Sequence, residues 1–280
     1  TCDWSSDVCS SDLGAAQHLP DLARAMLQRL VGPTRARSAV LVGVVAHHSR
    51  SHGSSPRPHL ARVLRSAADG VPLLVRTLAL RAILLLTVWT AAGLGDVPLA
   101  AHQVSMTIWS TLAFALDAIA IAAQALTGQA LGAGDRPGVR AATATMMRWG
   151  LGSGIVLGVL VAGLHRVLPP LFTTDPGVQD TLAAALLVVA AGSPLAGLVF
   201  TADGILIGAG DGRWLAGASV LTLVAYLPLV LAAGRIGEGG SAPFALTVVW
   251  IGFTGFMLVR WGTLWWRLRG DGWLVTGERR

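Results

Sequence analysis

The chain has 280 residues, of which 53% are hydrophobic and 13% charged, with a mean hydropathy of +0.62, 34 Gly and 10 Trp. This composition excludes an ordinary soluble domain and belongs to an all-α polytopic membrane protein. All 21 basic residues behind the formal charge of +6 are Arg, and Lys and Asn are absent; the codons of both are AT-rich, which points to a GC-rich bacterial genome. The arginines sit mainly between apolar segments and form no aromatic-interleaved basic surface, so membrane topology accounts for them and nucleic acid is excluded as a partner.

Residues 1–13, TCDWSSDVCSSDL, hold both cysteines and are rich in Ser and Asp, unlike anything after them. They resemble a translated sequencing-adaptor read-through and are set aside from fold reasoning. Cys2 and Cys9, a lone pair, match no zinc signature. Residues 14–59 read as a linker or the remnant of a preceding helix. Leu19 to Leu30 can form an amphipathic helix, and Ser38 to Ala46 is apolar but too short to span. His47, His48, His52 and His59 lie among Ser, Arg, Gly and Pro with no carboxylate or cysteine beside them, the composition of a linker and not of a metal site. Leu60, Val63, Leu64 and Ala67 then follow helical spacing with Arg62 and Arg65 opposed, which suits a short interfacial helix leading into a membrane span.

Six segments are long enough to cross roughly 30 Å of hydrocarbon at about 1.5 Å per residue: Val71 to Leu94, Leu99 to Leu131, Ala141 to Leu168, Leu182 to Ile207, Trp214 to Ala233 and Phe244 to Trp266. The second is too long to be only a span, so one end should project or bend. Together they define a six-helix unit over 60–266, followed by a cytoplasmic tail, 267–280. Arg50, Arg57, Arg62 and Arg65, then Arg136 and Arg140, then Arg213, and finally Arg267, Arg269, Arg279 and Arg280 occupy alternate connections, which places these and both ends of the unit in the cytoplasm. Trp149, Trp214, Trp261, Trp265 and Trp266 fall near the same interface, as an aromatic belt would. Arg76 and Arg81 lie in the first turns of the first span; they either snorkel to headgroups or meet a carboxylate inside the bundle.

The second span carries the feature that points most directly to function, Asp117 near the middle of an apolar helix. Gln103, Ser110, Asp117 and Gln124 recur every seven residues and so share one slowly drifting face. Asp203 is the other acid inside a span. A carboxylate withdrawn from water can hold a proton, and a cation or a drug amine competes for the same charge. The structural alternatives are an interhelical hydrogen bond for Asp117 and, for Asp203, about a turn from its helix end, simple access to water. The glycine-rich GAGDRPGVR follows a membrane helix and lacks a Lys-Ser/Thr ending, so it is a cytoplasmic turn and not a phosphate cradle.

Three segments, LVRTLALRAILLLTVWTAAGLGDVPLAAHQV, LDAIAIAAQALTGQALGAGDR and FTADGILIGAGDGRW, fall in order on three predicted helices. They resemble the C-terminal half of multidrug and toxic compound extrusion (MATE) transporters, particularly the DinF-like branch, over about Leu60 to Trp266. The resemblance implies a twelve-helix antiporter of two six-helix lobes around a central cavity, of which this sequence carries one. It implies export of organic, often cationic, drug-like compounds across the bacterial inner membrane in exchange for H⁺ or Na⁺, with membrane lipid and a missing N-terminal lobe as partners and no cofactor beyond the coupling ion.

On that resemblance Asp117 lies in the family's eighth helix and Asp203 at the acidic position of the tenth, where some relatives place a cation-binding carboxylate. Asp117 and Asp203 then hold proton, Na⁺ or substrate, while Gln124, Gln103 and Ser110 supply uncharged hydrogen-bonding groups. The main coupling acid of DinF-like relatives is assigned to the first helix of the N-terminal lobe, outside this sequence. A lone lobe is inactive unless it pairs with a second copy or a separate partner. The alternatives are an inactive gene fragment or a lipid-linked precursor flippase of the same superfamily, which would need a basic cavity that only Arg76 and Arg81 offer. An enzyme is not expected: the spans hold no paired acids at catalytic spacing, no nucleophile with a base and no metal-ligand cluster.

Overall fold

The computed structural model describes residues 60–275; the adaptor-like segment 1–13, its cysteines, and the linker 14–59 with its histidines lie outside the described residues. The membrane-length stretches all lie in one compact unit, Ser66–Arg280. The described helices are α1 (Leu60–Gly93), α2 (Asp96–Gly132), α3 (Arg136–Leu164), a single turn α4 (Pro169–Phe172), α5 (Pro176–Gly208), α6 (Gly212–Gly237) and α7 (Ala242–Arg269). No strand occurs among the described residues, and all of these helices except α4 are long and apolar enough to cross a membrane. A helix satisfies its own backbone, which is what lipid demands.

The spans lie where the apolar runs place them, with corrections at their ends: α5 begins at Pro176, six residues before Leu182, and α6 runs on to Gly237, past Ala233. The expected interfacial helix is not separate: α1 runs unbroken from Leu60 to Gly93, with Pro72 inside it. Pro72 forfeits one backbone bond there without stopping the helix. The third span ends at Leu164 and not at Leu168: Pro169 and Pro170 carry no N–H to continue the i→i−4 ladder past it, and they open α4. α7 continues to Arg269, and the residues after it fold back: Trp273 is buried and its indole Nε1 donates to the Leu268 carbonyl at 3.3 Å.

α5 is the centre of the bundle and packs on α2, α3 and α7, while α6 packs on α7. Its small residues make this possible. Opposite it on α3, Gly150, Gly154 and Gly158 recur every fourth residue, so all face α5. A Cβ at Gly154 would lie 2.5 Å from the Ser193 carbonyl oxygen and 2.8 Å from Pro194 Cα, so the two backbones touch. On its other side Gly204 packs on Ala120 of α2 and Gly208 on Gln124. α5 ends there while α2 continues to Gly132, about 12 Å further at 1.5 Å per residue. The excess length of the second span thus projects, as its length required.

The same tetrapeptide, Gly-Ala-Gly-Asp, makes both the α2–α3 and α5–α6 turns, at 132–135 and 208–211. Gly134 and Gly210 each adopt φ 75°, which glycine occupies without strain. The following N–H closes the preceding helix in both: Asp135 onto Ala130 and Asp211 onto Leu206, each at 3.0 Å. Asp135 then caps α3 by accepting from Gly138 N at 2.9 Å. Asp211 instead receives Arg267 Nε at 2.6 Å, and Arg140 pairs with Asp271. These contacts gather the arginine-bearing ends of α3, α6 and α7 at one end of the bundle. Trp149, Trp265 and Trp266 are exposed near it, whereas Trp214 is half-buried beneath the Arg267 guanidinium, 5.0 Å from its ring.

Candidate functional site

Near the arginine-bearing end, α1, α2, α5 and α7 leave a cavity of about 230 Å³ between them. Its polar lining is Arg76 from α1, Asp117 and Gln124 from α2, Asp203 from α5 and Arg260 from α7; Phe200, Phe256 and Met257 are among its apolar walls. The close α2–α5 approach at Gly204 sets Asp203 beside the Asp117 turn of α2. Helix periodicity brings Gln124 to the same side.

Asp203 is the ionic centre. Arg260 Nη2 lies 2.7 Å from both carboxylate oxygens, Arg260 Nε 3.2 Å from Oδ2, and Arg76 Nη2 3.1 Å from Oδ2. Arg260 Nη1 donates to Ser219 Oγ on α6 at 3.0 Å, and that hydroxyl passes its own proton to the Leu215 carbonyl at 2.7 Å. Arg260 is 2% exposed, and its planar fork suits a carboxylate better than any other side chain. Four helices are therefore tied through one acid. Asp203, expected with Asp117 to hold proton, Na⁺ or substrate, already receives two guanidiniums in this geometry. Its alternative course, opening to water at a helix end, is not taken: Asp203 is buried.

Asp117 stands differently. It is exposed on the outer side of the cavity and makes no hydrogen bond or ion pair among the described residues. Its charged neighbours are Arg76 and Asp203. Arg76 spends one Nη2 contact on Asp203, and its Nε is buried without a partner. Of its two expected courses Arg76 takes the second, meeting a carboxylate, whereas Arg81 is exposed and outside the cavity lining.

The rest of the α2 seam keeps its face. Gln103, Ser110, Asp117 and Gln124 are all exposed, while Trp109, Leu112, Leu116, Ala120 and Ala123 are buried against the bundle. Gln103 and Ser110 lie outside the cavity lining, and Ser110 Oγ donates back to Met106 O at 2.7 Å. Arg260 and Ser219 were not singled out from sequence. The signal for Arg260 was there, an arginine inside an apolar span, which must find an acid; a lone Ser on α6 gave none. Among the described residues no group of His, Cys, Asp or Glu is placed to hold a metal.

A family model described as MatE matches residues 72–231. Among curated proteins, Protein DETOXIFICATION 43 of Arabidopsis thaliana is 29% identical over 200 residues, covering 70% of this chain and 36% of that protein. Protein DETOXIFICATION 42 of the same plant is 31% identical over 209 residues, 73% of this chain and 38% of that protein. The probable multidrug resistance protein NorM of Rhodopseudomonas palustris is 34% identical over 117 residues, 40% of this chain and 25% of that protein. A solved multidrug resistance MATE family transporter of the MOP superfamily, in an outward-facing conformation, superposes with TM-score 0.63 at 18% identity, covering 75% of this chain and 46% of that one. The match thus covers well under half the length of these curated relatives and just under half of the solved transporter.

Proposed function

The chain belongs to the MatE family, and from that membership we propose that it forms one six-helix lobe of a secondary multidrug antiporter of the bacterial inner membrane, with its arginine-bearing end in the cytoplasm. A second lobe faces the α2 seam and completes the central cavity. Organic, often cationic, compounds leave through that cavity in exchange for H⁺ or Na⁺. The observation that supports this reading is Asp117: an acid on a membrane helix, facing the open side of a cavity, with no bonded partner. An uncompensated intramembrane carboxylate is costly and persists where it serves a cation.

In this mechanism Asp117 carries the exchangeable charge, and a proton or Na⁺ and a substrate amine exclude one another there. Gln124, one polar step along the seam, orients the bound group by hydrogen bonding, and Phe200, Phe256 and Met257 receive apolar parts of the substrate. Asp203 stays locked by Arg260, while Arg76 is a cation that neighbours both acids.

The test is ion-linked efflux of ethidium from vesicles bearing this lobe together with its N-terminal lobe. Asp117→Asn should insert normally and lower ethidium affinity about tenfold, about 1.4 kcal/mol, whereas Arg81→Gln, off the seam and outside the cavity lining, should not. Efflux unchanged in Asp117→Asn would refute the assignment.

A further inference from the structure

A second groove lies on the other side of α2, where α2 and α3 diverge. Its volume is about 590 Å³, and its lining is apolar except for Arg148 and Ser153. Ala115 and Ile119 form the α2 wall; each is two residues from Asp117, about 200° around the helix from it, so this groove looks away from the seam. Its depth follows from α3–α5 packing. Gly150 rests on Thr201, and α5 ends at Gly208, so Arg148, two residues nearer that end than Gly150, lies about 7 Å inside the arginine-bearing end of the bundle.

Arg148 is exposed, makes no hydrogen bond or ion pair among the described residues, and has no acid among the groove's lining residues. Trp149 beside it is 65% exposed, the placement of an indole at a headgroup boundary. A guanidinium reaching from this depth toward the interface meets phosphate oxygens, which it binds with two parallel donors. Next in the groove comes Gly152, where an added Cβ would meet nothing within 4 Å, so the missing side chain leaves a notch. Ile119, Val156 and Leu157 wall it on the way to the membrane centre.

We propose that this groove holds an anionic phospholipid, its phosphate on Arg148 and one acyl chain laid through the Gly152 notch. The charge selects the ligand, because the lining offers one cation and no anion. The apolar notch makes it a lipid and not a soluble phosphate. The site is independent of the transport cavity, so it stands or falls apart from the Asp117 reading.

Native mass spectrometry of the full chain, released from micelles doped equally with phosphatidylglycerol and phosphatidylcholine, reads it directly. Phosphatidylglycerol should be retained about fivefold over phosphatidylcholine, the factor that one basic residue contributes at an anionic surface. Arg148→Gln should abolish that preference. Gly152→Leu should fill the notch and lower retention of both lipids while leaving the thermal unfolding midpoint unchanged, since its side chain enters open space. Glycerol phosphate at the same concentration should leave no adduct. Equal retention of the two lipids by the parent chain, an undiminished preference in Arg148→Gln, or undiminished lipid in Gly152→Leu would overturn the proposal. A glycerol phosphate adduct as abundant as the lipid would overturn the lipid assignment in favour of a free phosphate.

Discussion

Replacing Arg260 by Met keeps the apolar stem of the side chain and removes its charge. Four donor contacts disappear: two from Nη2 to Asp203 at 2.7 Å, one from Nε at 3.2 Å and one from Nη1 to Ser219 at 3.0 Å. Asp203 keeps only Arg76 Nη2 at 3.1 Å. Breaking a buried ion pair from one side costs about 3–5 kcal/mol, because the surviving charge is stranded; the remaining Arg76 contact sets the loss near the lower figure, about 3 kcal/mol. In a chain of this size each kcal/mol moves the unfolding midpoint by about 2–4 °C, so Arg260→Met should lower it by about 6–12 °C. Adding Asp203→Leu removes the stranded carboxylate and should restore stability to within about 1 kcal/mol of the parent, since Arg76, already one-fifth exposed, can turn to water. Thermal unfolding of the full chain in detergent, followed by size exclusion for parent, both single variants and the double, completes the cycle. A midpoint loss below about 2 °C in Arg260→Met, or a double variant as damaged as the sum of the singles, would refute the reasoning that the clamp is one coupled buried unit.

Two further substitutions probe the packing that positions the cavity. Gly154→Ala drives a methyl to 2.5 Å from the Ser193 carbonyl oxygen, and since both neighbours are backbone the helices must part; a loss of about 1–3 kcal/mol in the same melts is expected, against almost none for Gly152→Ala. Thr87→Val removes the hydroxyl 2.7 Å from Tyr226 OH in the buried α1–α6 contact; leaving that phenol unpaired should cost about 1–3 kcal/mol, and adding Tyr226→Phe should recover part of it.

The spans were legible because each is an apolar run longer than the hydrocarbon is thick, and the seam because the period of seven survives on a helix that meets its neighbours along one stripe. What the sequence could not show was distance between helices. Asp203 and Arg260 are 57 residues apart, and nothing local to either says that α5 and α7 bring them together; only the rule that a membrane arginine needs an acid pointed that way. Arg76 and Arg81 look alike in sequence, five positions apart in one apolar run, but about 500° of helical rotation turns one toward Asp203 and the other outward. Helix ends were misplaced where a missing proline N–H, not hydropathy, decides them, as at Pro169.

The division of labour between the two acids follows from what each must break to do exchange chemistry. A cation arriving at Asp203 has to displace a buried guanidinium held by both oxygens, and opening a contact worth about 3 kcal/mol leaves the acid available in fewer than about one molecule in a hundred. A cation arriving at Asp117 breaks no hydrogen bond or ion pair among the described residues. Alternating access also needs each lobe to move as a body, and the Asp203 clamp ties α1, α5, α6 and α7 through Arg76, Arg260 and Ser219. On the proposed reading Asp203 therefore serves transport by keeping the wall of the cavity rigid, and the exchangeable charge of this lobe rests on Asp117. Arg76 links the two roles. It can leave Asp203 without unpairing it, because Arg260 remains, and a tethered cation that close to Asp117 competes with any cation seeking that carboxylate. Arg76→Gln should then tighten ethidium binding while slowing its release, whereas Arg260→Met should weaken the fold before it touches affinity. Equal effects of the two variants on binding and on the unfolding midpoint would mean that the three charges act as one unit and that the acids do not divide the work.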